Sequence, residues 1–299
     1  MIVAEPEAAP TAASGVVGVG TRSATLRAVY MIWYRDVLKY WRDRVRLIAS
    51  LAQPLLFLLV FGLGLSSSLR GAGGGFGGTG GSGSLNYVQF VFPGVVAMAV
   101  LFTAIFSAMS IVWDREFGFL KEILVAPVDR SAVAVGKALG GATQAMLQGC
   151  VMLVFAPLVG VHLTLLSVVE LVPLLFVLAF ALSSLGVAVA SRMRSMQGFQ
   201  VVMNFMLLPI FFLSGALFPL SGLPGWMTVL TRLDPVAYGV APLRHAVLGG
   251  AGVPAAVAAR VGDVSLFGRT VPTPLEVVML LLFGVAALAV AIRGFRIPD

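Results

Sequence analysis

The candidates for catalytic or ligand-binding chemistry are few in this 299-residue sequence. One cysteine, Cys150, and two histidines, His162 and His245, are too few for a disulfide or for a zinc site of cysteines and histidines. The glycine-rich stretch RGAGGGFGGTGGSGS at 70–84 lacks the Gly-Lys-Ser/Thr ending of a phosphate-binding loop. Within 219–273, where several charged residues occur, no two carboxylates share a helix face and no nucleophile has a neighbouring base. The sequence therefore predicts no catalytic residue, no metal site and no cofactor bound by this chain.

The densest group of charged residues lies in WDREFGFLKEILVAPVDR, at 113–130. Seven charged side chains occur there, between two long uncharged apolar runs. On a helix, Phe119, Leu120 and Ile123 share a broad apolar sector, the charges occupy most of the rest, and Pro127 ends the helix. Moving seven charges into hydrocarbon would cost roughly 20 kcal/mol. The segment is therefore expected to lie outside the bilayer.

An amphipathic helix at this position has two interpretations. It could lie on the lipid surface, although such helices usually favour lysine and arginine over balanced charges. It could instead dock into a groove of a partner protein, which suits its mixed charges and its phenylalanines.

The composition indicates a membrane protein. Hydrophobic residues make up 59% of the chain and charged residues 11%, and the mean hydropathy is +1.00. Soluble domains carry about 25% charged residues. In a soluble chain a net charge of +7 would suggest nucleic-acid binding. Here the basic residues cluster beside apolar runs, so we expect the charge to reflect membrane topology and no nucleic-acid partner.

Six apolar segments are long enough to cross a bilayer as helices, and they lack the alternation of barrel strands. If both termini are cytoplasmic, fifteen of the 20 lysines and arginines lie on the cytoplasmic side, as the positive-inside rule favours. The sequence thus predicts an all-α polytopic membrane protein with both termini cytoplasmic. The predicted spans are 45–65, 91–113, 138–161, 171–190, 198–218 and 274–292.

The remaining segments define the expected domain organisation. Residues 1–22, rich in proline and alanine, are expected to be a disordered cytoplasmic tail before a single transmembrane domain at 23–299. Residues 25–44 place aromatic and cationic side chains at helical spacing, which predicts a helix in the membrane interface. The glycine-rich loop at 66–88 and a re-entrant segment at 219–273 are expected on the extracellular side.

Polar residues within the spans are candidates for a translocation pathway. Gln197, Gln200 and Asn204 recur at helical spacing on the fifth span. The alternative is that such side chains only form hydrogen bonds between helices. The full set of pathway candidates is Phe102, Phe106, Gln197, Gln200, Asn204, Leu208 and Phe211.

Two stretches resemble signature regions of type-2 ABC exporter permeases. They are WDREFGFLKEILVAPVDRSAVAVGK, which is similar to that family's cytoplasmic loop, and GFQVVMNFMLLPIFFLSGALFPLSGLPGWMTVLTRLDPVAYGVAPLR, which is similar to its C-terminal region. The resemblance covers 24–296 and is closest to the daunorubicin-resistance permease subgroup, a drug-efflux branch.

The resemblance implies that residues 114–126 form a coupling helix, which sits in a cleft of a cytosolic ABC ATPase. The implied coupling residues are Glu116, Phe119, Lys121, Glu122, Leu124 and Arg130. The helix at 25–44 is implied to touch the membrane lipids and the ATPase through Trp33, Arg35, Lys39 and Trp41.

The function implied by the resemblance is export across the bacterial plasma membrane. The chain would act as a homodimer with two copies of the ATPase, which would bind ATP and magnesium, and would move a hydrophobic or amphipathic compound. Two alternatives are export of a lipid-linked glycan, and a non-transporting membrane scaffold that recruits a cytosolic partner.

Overall fold

The computed structural model describes most of the predicted transmembrane domain. The described residues are 22–65, 87–117, 129–161, 163–220, 223–250, 265–266 and 269–296.

Ten α-helices form in the described residues, and several begin at a side-chain cap. Asp43, Thr164 and Ser195 each accept a hydrogen bond from a backbone amide in the first turn of the helix that follows. The helices are α1 (Arg22–Arg42), α2 (Arg44–Phe57), α3 (Tyr87–Ser107), α4 (Met109–Glu116), α5 (Arg130–Val154), α6 (Leu165–Ala190), α7 (Met196–Leu213), α8 (Gly225–Leu233), α9 (Ala237–Gly250) and α10 (Thr273–Arg296).

Four smaller elements complete the description. A π-helical segment, Leu58–Leu65, continues α2, and a 3-10 turn, Ala156–Val159, follows α5. Two strands of two residues each, β1 (Ser265–Leu266) and β2 (Arg269–Thr270), pair in antiparallel orientation. This pairing is a minor addition to a helical fold.

The predicted all-α fold with six membrane-spanning helices is confirmed. By length and composition, six stretches of the described residues could cross a membrane, and each overlaps one predicted span. They are Arg44–Gly62, Tyr87–Glu116, Arg130–Leu158, Leu165–Ala190, Met196–Leu213 and Thr273–Phe295.

Two boundaries differ from the sequence prediction for physical reasons. The third span begins at Arg130 rather than at residue 138, because Lys137 is buried within α5 beside two carboxylates. The fifth span, helix α7, ends at Leu213 rather than at 218, because Gly215 has a φ of 73°, which turns the chain out of the helix.

Contacts between helix ends show which ends of the spans lie together. At the end of the bundle where α1 lies, which we call the α1 end, Arg130 Nη1 donates to the carbonyl oxygen of Phe295 over 3.2 Å. At the opposite end, called the α9 end, Tyr87 Oη donates to the carbonyl oxygen of Leu217 over 3.2 Å. The first residues of some spans thus meet the last residues of others at each end.

Helix α3 lies at the centre of the bundle and packs against α5, α6 and α9. In its span 72% of the most apolar stretch is buried, against 17% in the span of α2 and 22% in that of α7. Gly94 of α3 lies so close to the backbone of Ala216 that an added Cβ would come within 2.7 Å of the Ala216 Cα. The two peripheral helices, α2 and α7, are therefore the ones with the largest free faces.

Part of the predicted re-entrant segment is packed into the bundle. Helix α9, of fourteen residues, is too short to cross a bilayer and packs against α3, α6 and α10. Its Arg244 is fully buried, with its guanidinium 4.1 Å from the centre of the Phe90 ring and donating to the Gly215 carbonyl oxygen over 2.7 Å. The re-entrant path and the extracellular side of 219–273 stay predictions.

Other segment predictions fall largely outside the described residues. Of the tail at 1–22 only Arg22 is described, and of the loop at 66–88 only the first two residues of α3. The predicted coupling helix at 114–126 is described only at 114–117, where three residues form the last turn of α4 and Phe117 follows the helix.

Candidate functional site

Helix α1 is attached to α5 by polar contacts along its length. A helix that only rested in the membrane interface would not need such pairs, so the position of α1 is set by the protein as well as by lipid. The hydrogen bonds run from Trp33 Nε1 to Thr143 Oγ1 (2.9 Å), from Gln144 Nε2 to the carbonyl oxygen of Asp36 (3.0 Å) and from Tyr40 Oη to Gln148 Oε1 (2.7 Å).

Tyr40 is the buried end of this attachment. Burial raises the pKa of its phenol to about 12, although the Ser50 hydroxyl and the Arg46 guanidinium act in the opposite direction. Tyr40 therefore stays neutral at physiological pH and can act as a hydrogen-bond donor to α5.

Four charged side chains gather where α1, α4 and α5 meet: Arg35, Asp36, Asp114 and Lys137, called here the charged cluster. Lys137 is only 5% exposed. Its Nζ donates to Ser110 Oγ over 2.9 Å and to Asp114 Oδ2 over 3.2 Å, and it lies 3.3 Å from Asp36 Oδ2 in an ion pair. Arg35 Nη2 adds contacts of 3.4 Å to Asp36 and 3.8 Å to Asp114. The two cations and two anions balance, which makes burial of the charges tolerable.

The residues just before the undescribed segment 118–128 are held by the turn between α6 and α7. Arg115 Nη1 donates to the carbonyl oxygens of Ser191 and Met193, each over 3.0 Å. Glu116 Oε2 accepts from the backbone amide of Met196 over 2.9 Å. Because Met196 is the first residue of α7, the carboxylate also lies at the positive end of that helix dipole.

The residues just after segment 118–128 are held by α1 and α10. Asp129 Oδ2 accepts from Thr25 Oγ1 of α1 over 3.0 Å. Arg130, the next residue, makes the contact with Phe295 of α10. Both ends of the segment are thus fixed to other helices, and we call these contacts the loop anchors.

The proposed ATPase-coupling residues divide into two groups. Glu116 and Arg130 are loop anchors with partners inside this chain. Their contact with an ATPase stays a prediction. Phe119, Lys121, Glu122 and Leu124 lie outside the described residues.

The α1 candidates also divide. Trp33 contacts α5 and Arg35 belongs to the charged cluster, although the Arg35 side chain is 53% exposed. Lys39 and Trp41 are exposed and available to lipid or to a partner. A groove of about 410 Å³ runs beside Arg35 and Lys137, lined by apolar side chains of α1 and by Val133 of α5.

Within a single copy of the chain, the seven pathway candidates do not lie together at one site. Phe102 and Phe106 stack with ring centres 6.3 Å apart and line a small cavity beside α2. Phe211 is in the core, with its ring edge-on to that of Phe57 at 6.1 Å. The other four, Gln197, Gln200, Asn204 and Leu208, are exposed along the free face of α7. We call these four the α7 stripe.

Sequence reasoning missed the charged cluster. It identified Arg35 as a candidate and placed Lys137 in a loop, whereas the structure places Lys137 inside the third span. The sequence does contain possible partners for this lysine, since Asp36 occurs in the first helix and Asp114 at the end of the second span. The pairing itself requires the packing of α1 on α5.

Comparison with known proteins identifies the family of this chain. The sequence profile described as ABC-2 type transporter matches residues 27–248. The transport permease ycf38 of Cyanophora paradoxa is 26% identical, and the alignment covers 73% of each chain. Nodulation protein J of Rhizobium leguminosarum bv. trifolii is 28% identical over 73% of this chain and 80% of its own. The inner membrane transport permease YadH of Escherichia coli K12 is 26% identical over 74% and 83%. The chain therefore belongs to the ABC-2 type transporter family, as a membrane permease that is not itself an ATPase.

Proposed function

We propose that this chain is the membrane subunit of an ATP-driven exporter in the bacterial plasma membrane, of the drug-efflux type represented by the daunorubicin-resistance permeases. It moves a hydrophobic or amphipathic compound outward. Permeases of this family normally pair with an ATPase subunit. ATP and magnesium are bound by two copies of that cytosolic subunit, and the residues of 114–126 dock into it.

The observation that carries this proposal is the set of loop anchors. A force applied to segment 118–128 would reach the α6–α7 turn through Arg115 and Glu116, and α1 and α10 through Asp129 and Arg130. The charged cluster would carry the same force to α5, because Asp114 pairs with Lys137 of that helix. Hydrogen bonds and ion pairs to the ends of rigid helices are a physical route for coupling between sites. A loop held in this way suits a movement delivered from outside the membrane.

Charge supports the proposed orientation, and exposure supports the proposed homodimer. The basic residues favour termini on the cytoplasmic side, which places the α1 end toward a cytosolic ATPase. The amides of the α7 stripe would be costly against lipid tails. A second copy of the chain, meeting the first along α7, would cover them and place a pathway between the two copies.

The experiment is ATP hydrolysis by the ATPase encoded beside this gene, reconstituted in lipid with and without this chain. The test variant is Glu122→Arg with Phe119→Ala, which reverses one charge and removes one aromatic anchor in the docking segment. We expect the wild-type chain to bind the ATPase and to change its hydrolysis rate, and the test variant to lose both effects.

A matched control carries the same substitution types elsewhere. Glu170→Arg with Phe176→Ala changes two exposed side chains of α6, nearer the α9 end. This control should keep binding and modulation. If neither the wild type nor the control associates with the ATPase, the proposal of an ATP-driven permease has no energy source. A membrane scaffold then becomes the better explanation.

A further inference from the structure

A second cavity, of about 150 Å³, lies between α2 and α3 beside the buried end of α1. Its α2 wall is polar, because residues 46, 50 and 53 recur on one face of the helix. Its α3 wall is mainly aromatic. The lining side chains used in the argument below are Tyr40, Arg46, Ser50, Gln53, Phe102, Thr103 and Phe106.

Arg46 brings a charge to this cavity that the described part of the chain does not neutralise. Among the described residues, no carboxylate lies within salt-bridge distance of its guanidinium, whereas Arg35 and Lys137 both have aspartate partners. The nearby Asp43 accepts a bond from the backbone amide of Arg46, which caps α2. A guanidinium at the start of a membrane-spanning helix favours an anion as its partner.

The hydrogen-bonding groups around Arg46 point to the same preference. Tyr40 already donates its hydroxyl proton to Gln148, and Ser50 donates to the carbonyl oxygen of Leu47. The guanidinium of Arg46, the side-chain amide of Gln53 and the hydroxyl of Thr103 are thus the donor groups at the cavity for which the described residues show no acceptor. Three such donor groups, one of them charged, suit an oxyanion better than a cation or a neutral base.

The cavity is open and small. Arg46, Ala49 and Gln53 are exposed, so the cavity opens on the surface of α2, which has a large free face. Its volume is below the range of about 300–1,000 Å³ that encloses whole small molecules. It has room for a headgroup whose remainder lies outside. The stacked rings of Phe102 and Phe106 offer an apolar surface next to the charged end.

We propose that this cavity binds the anionic headgroup of an amphipathic molecule in the bilayer, a phosphate or carboxylate that carries an apolar chain. Arg46 supplies the counter-charge, Gln53 a hydrogen bond, and the two phenylalanines contact the start of the apolar chain. This inference extends the proposed function. Only the transport of the bound molecule rests on that function, because binding to the cavity requires no ATPase. A membrane phospholipid and a transported compound would share this headgroup chemistry.

The binding test uses the full chain purified in neutral detergent. Thermal unfolding is followed while dioleoyl phosphatidylglycerol, dioleoyl phosphatidylcholine, dodecyl phosphate or inorganic phosphate is added, and a dissociation constant is obtained from the shift in midpoint. We expect phosphatidylglycerol and dodecyl phosphate to bind more tightly than phosphatidylcholine. Arg46→Gln should weaken both anionic amphiphiles about tenfold or more, since it removes a charge-assisted hydrogen bond.

The matched control is Arg44→Gln, two residues away on the same exposed helix start and not in the cavity lining. It should leave both constants unchanged. Gln53→Leu gives a second probe that keeps the charge, and it should weaken binding about two- to tenfold. Equal losses in Arg44→Gln and Arg46→Gln, equal binding of phosphatidylcholine, or binding of inorganic phosphate as tight as that of dodecyl phosphate would each overturn the proposal.

A second measurement separates the two sources of the headgroup. In phosphatidylcholine vesicles with the ATPase present, dodecyl phosphate should stimulate hydrolysis if the cavity receives transported compounds, and Arg46→Gln should lose the stimulation. Binding without stimulation assigns the site to a membrane lipid. Failure of the ATPase to associate would count against the proposed function, whereas the detergent titration would still decide this inference.

Discussion

Lys137 can lie inside the third span because Asp36, Asp114 and Ser110 contact its ammonium group. An isolated ammonium group in a low-dielectric interior would be expected to lose its proton or to unfold its surroundings. Here two carboxylates and a hydroxyl surround the Nζ atom. Breaking such a buried pair costs more than the pair contributes, because the remaining charges are left without compensation.

Replacing this lysine should therefore strongly destabilise the protein. We expect Lys137→Met to lower the free energy of unfolding by about 3–5 kcal/mol, since Asp36 and Asp114 would lose their buried cation and keep only the half-exposed guanidinium of Arg35. The measurement is reversible unfolding in mixed micelles of increasing denaturing detergent.

Lys39→Met, on the exposed face of α1, is the control and should change the unfolding free energy by less than about 1 kcal/mol. The triple variant Lys137→Met, Asp36→Asn, Asp114→Asn should recover part of the loss. Equal stability of Lys137→Met and Lys39→Met would show that the charged cluster contributes nothing.

The sequence could predict residue types better than their partners. It placed the charges of 113–130 outside hydrocarbon from their cost alone. It could not pair Lys137 with Asp36, because the two residues are about a hundred positions apart and their contact follows no periodic pattern. Similarly, Glu116 was predicted to face an ATPase, and only the fold shows its bond to the start of α7.

At the level of the helices, the sequence predicted well which segments form membrane-spanning helices. It predicted poorly how deeply each helix is buried in the bundle. Long apolar runs were sufficient to place all six spans, since few structures other than a helix can cross a bilayer. Most faces of these runs are apolar, so the pattern did not reveal that α3 is central and that α2 and α7 are peripheral. That difference depends on close packing between particular backbones, as at Gly94.

The close approach at Gly94 gives a prediction for α3. Gly94→Ala would place a methyl group against the backbone of Ala216, which cannot move aside as a flexible side chain can. We expect a loss of about 1–3 kcal/mol in unfolding free energy, measured in the same micelle titration.

The comparison variant is Gly249→Ala in α9, where an added Cβ would meet nothing within 4 Å. It should be neutral or slightly stabilising, because alanine is the better helix former. Were Gly94→Ala as stable as Gly249→Ala, the α3 helix would not approach Ala216 as closely as the structure shows.

For the whole molecule, the exposed amides of the α7 stripe predict where two copies meet. A two-fold axis near α7 would bring each stripe position close to the same position in the second copy. The chain has one cysteine, so Cys150→Ser gives a background for single cysteines at Gln200, Asn204 or Leu208. We expect at least one of these to form a disulfide-linked dimer in membranes under mild oxidation, seen by non-reducing electrophoresis.

The control position is Leu282 of α10, which is also exposed, at 63% of its surface. Leu282→Cys should remain monomeric, since α10 lies outside the proposed contact. Dimers in equal yield from both helices would indicate random collision, and dimers from Leu282→Cys alone would move the contact to α10.

The attachment of α1 to α5 has a consequence for biogenesis. Trp33, Asp36 and Tyr40 find their partners 108 to 110 residues later in the chain. At ordinary rates of translation, roughly 5 to 20 seconds separate the emergence of α1 from that of α5. During that interval two spans enter the membrane before Asp36 of α1 can meet Lys137 of α5. The nascent α1 therefore cannot make its native contacts when it leaves the ribosome, and it is seated against α5 only after the first two spans have been made.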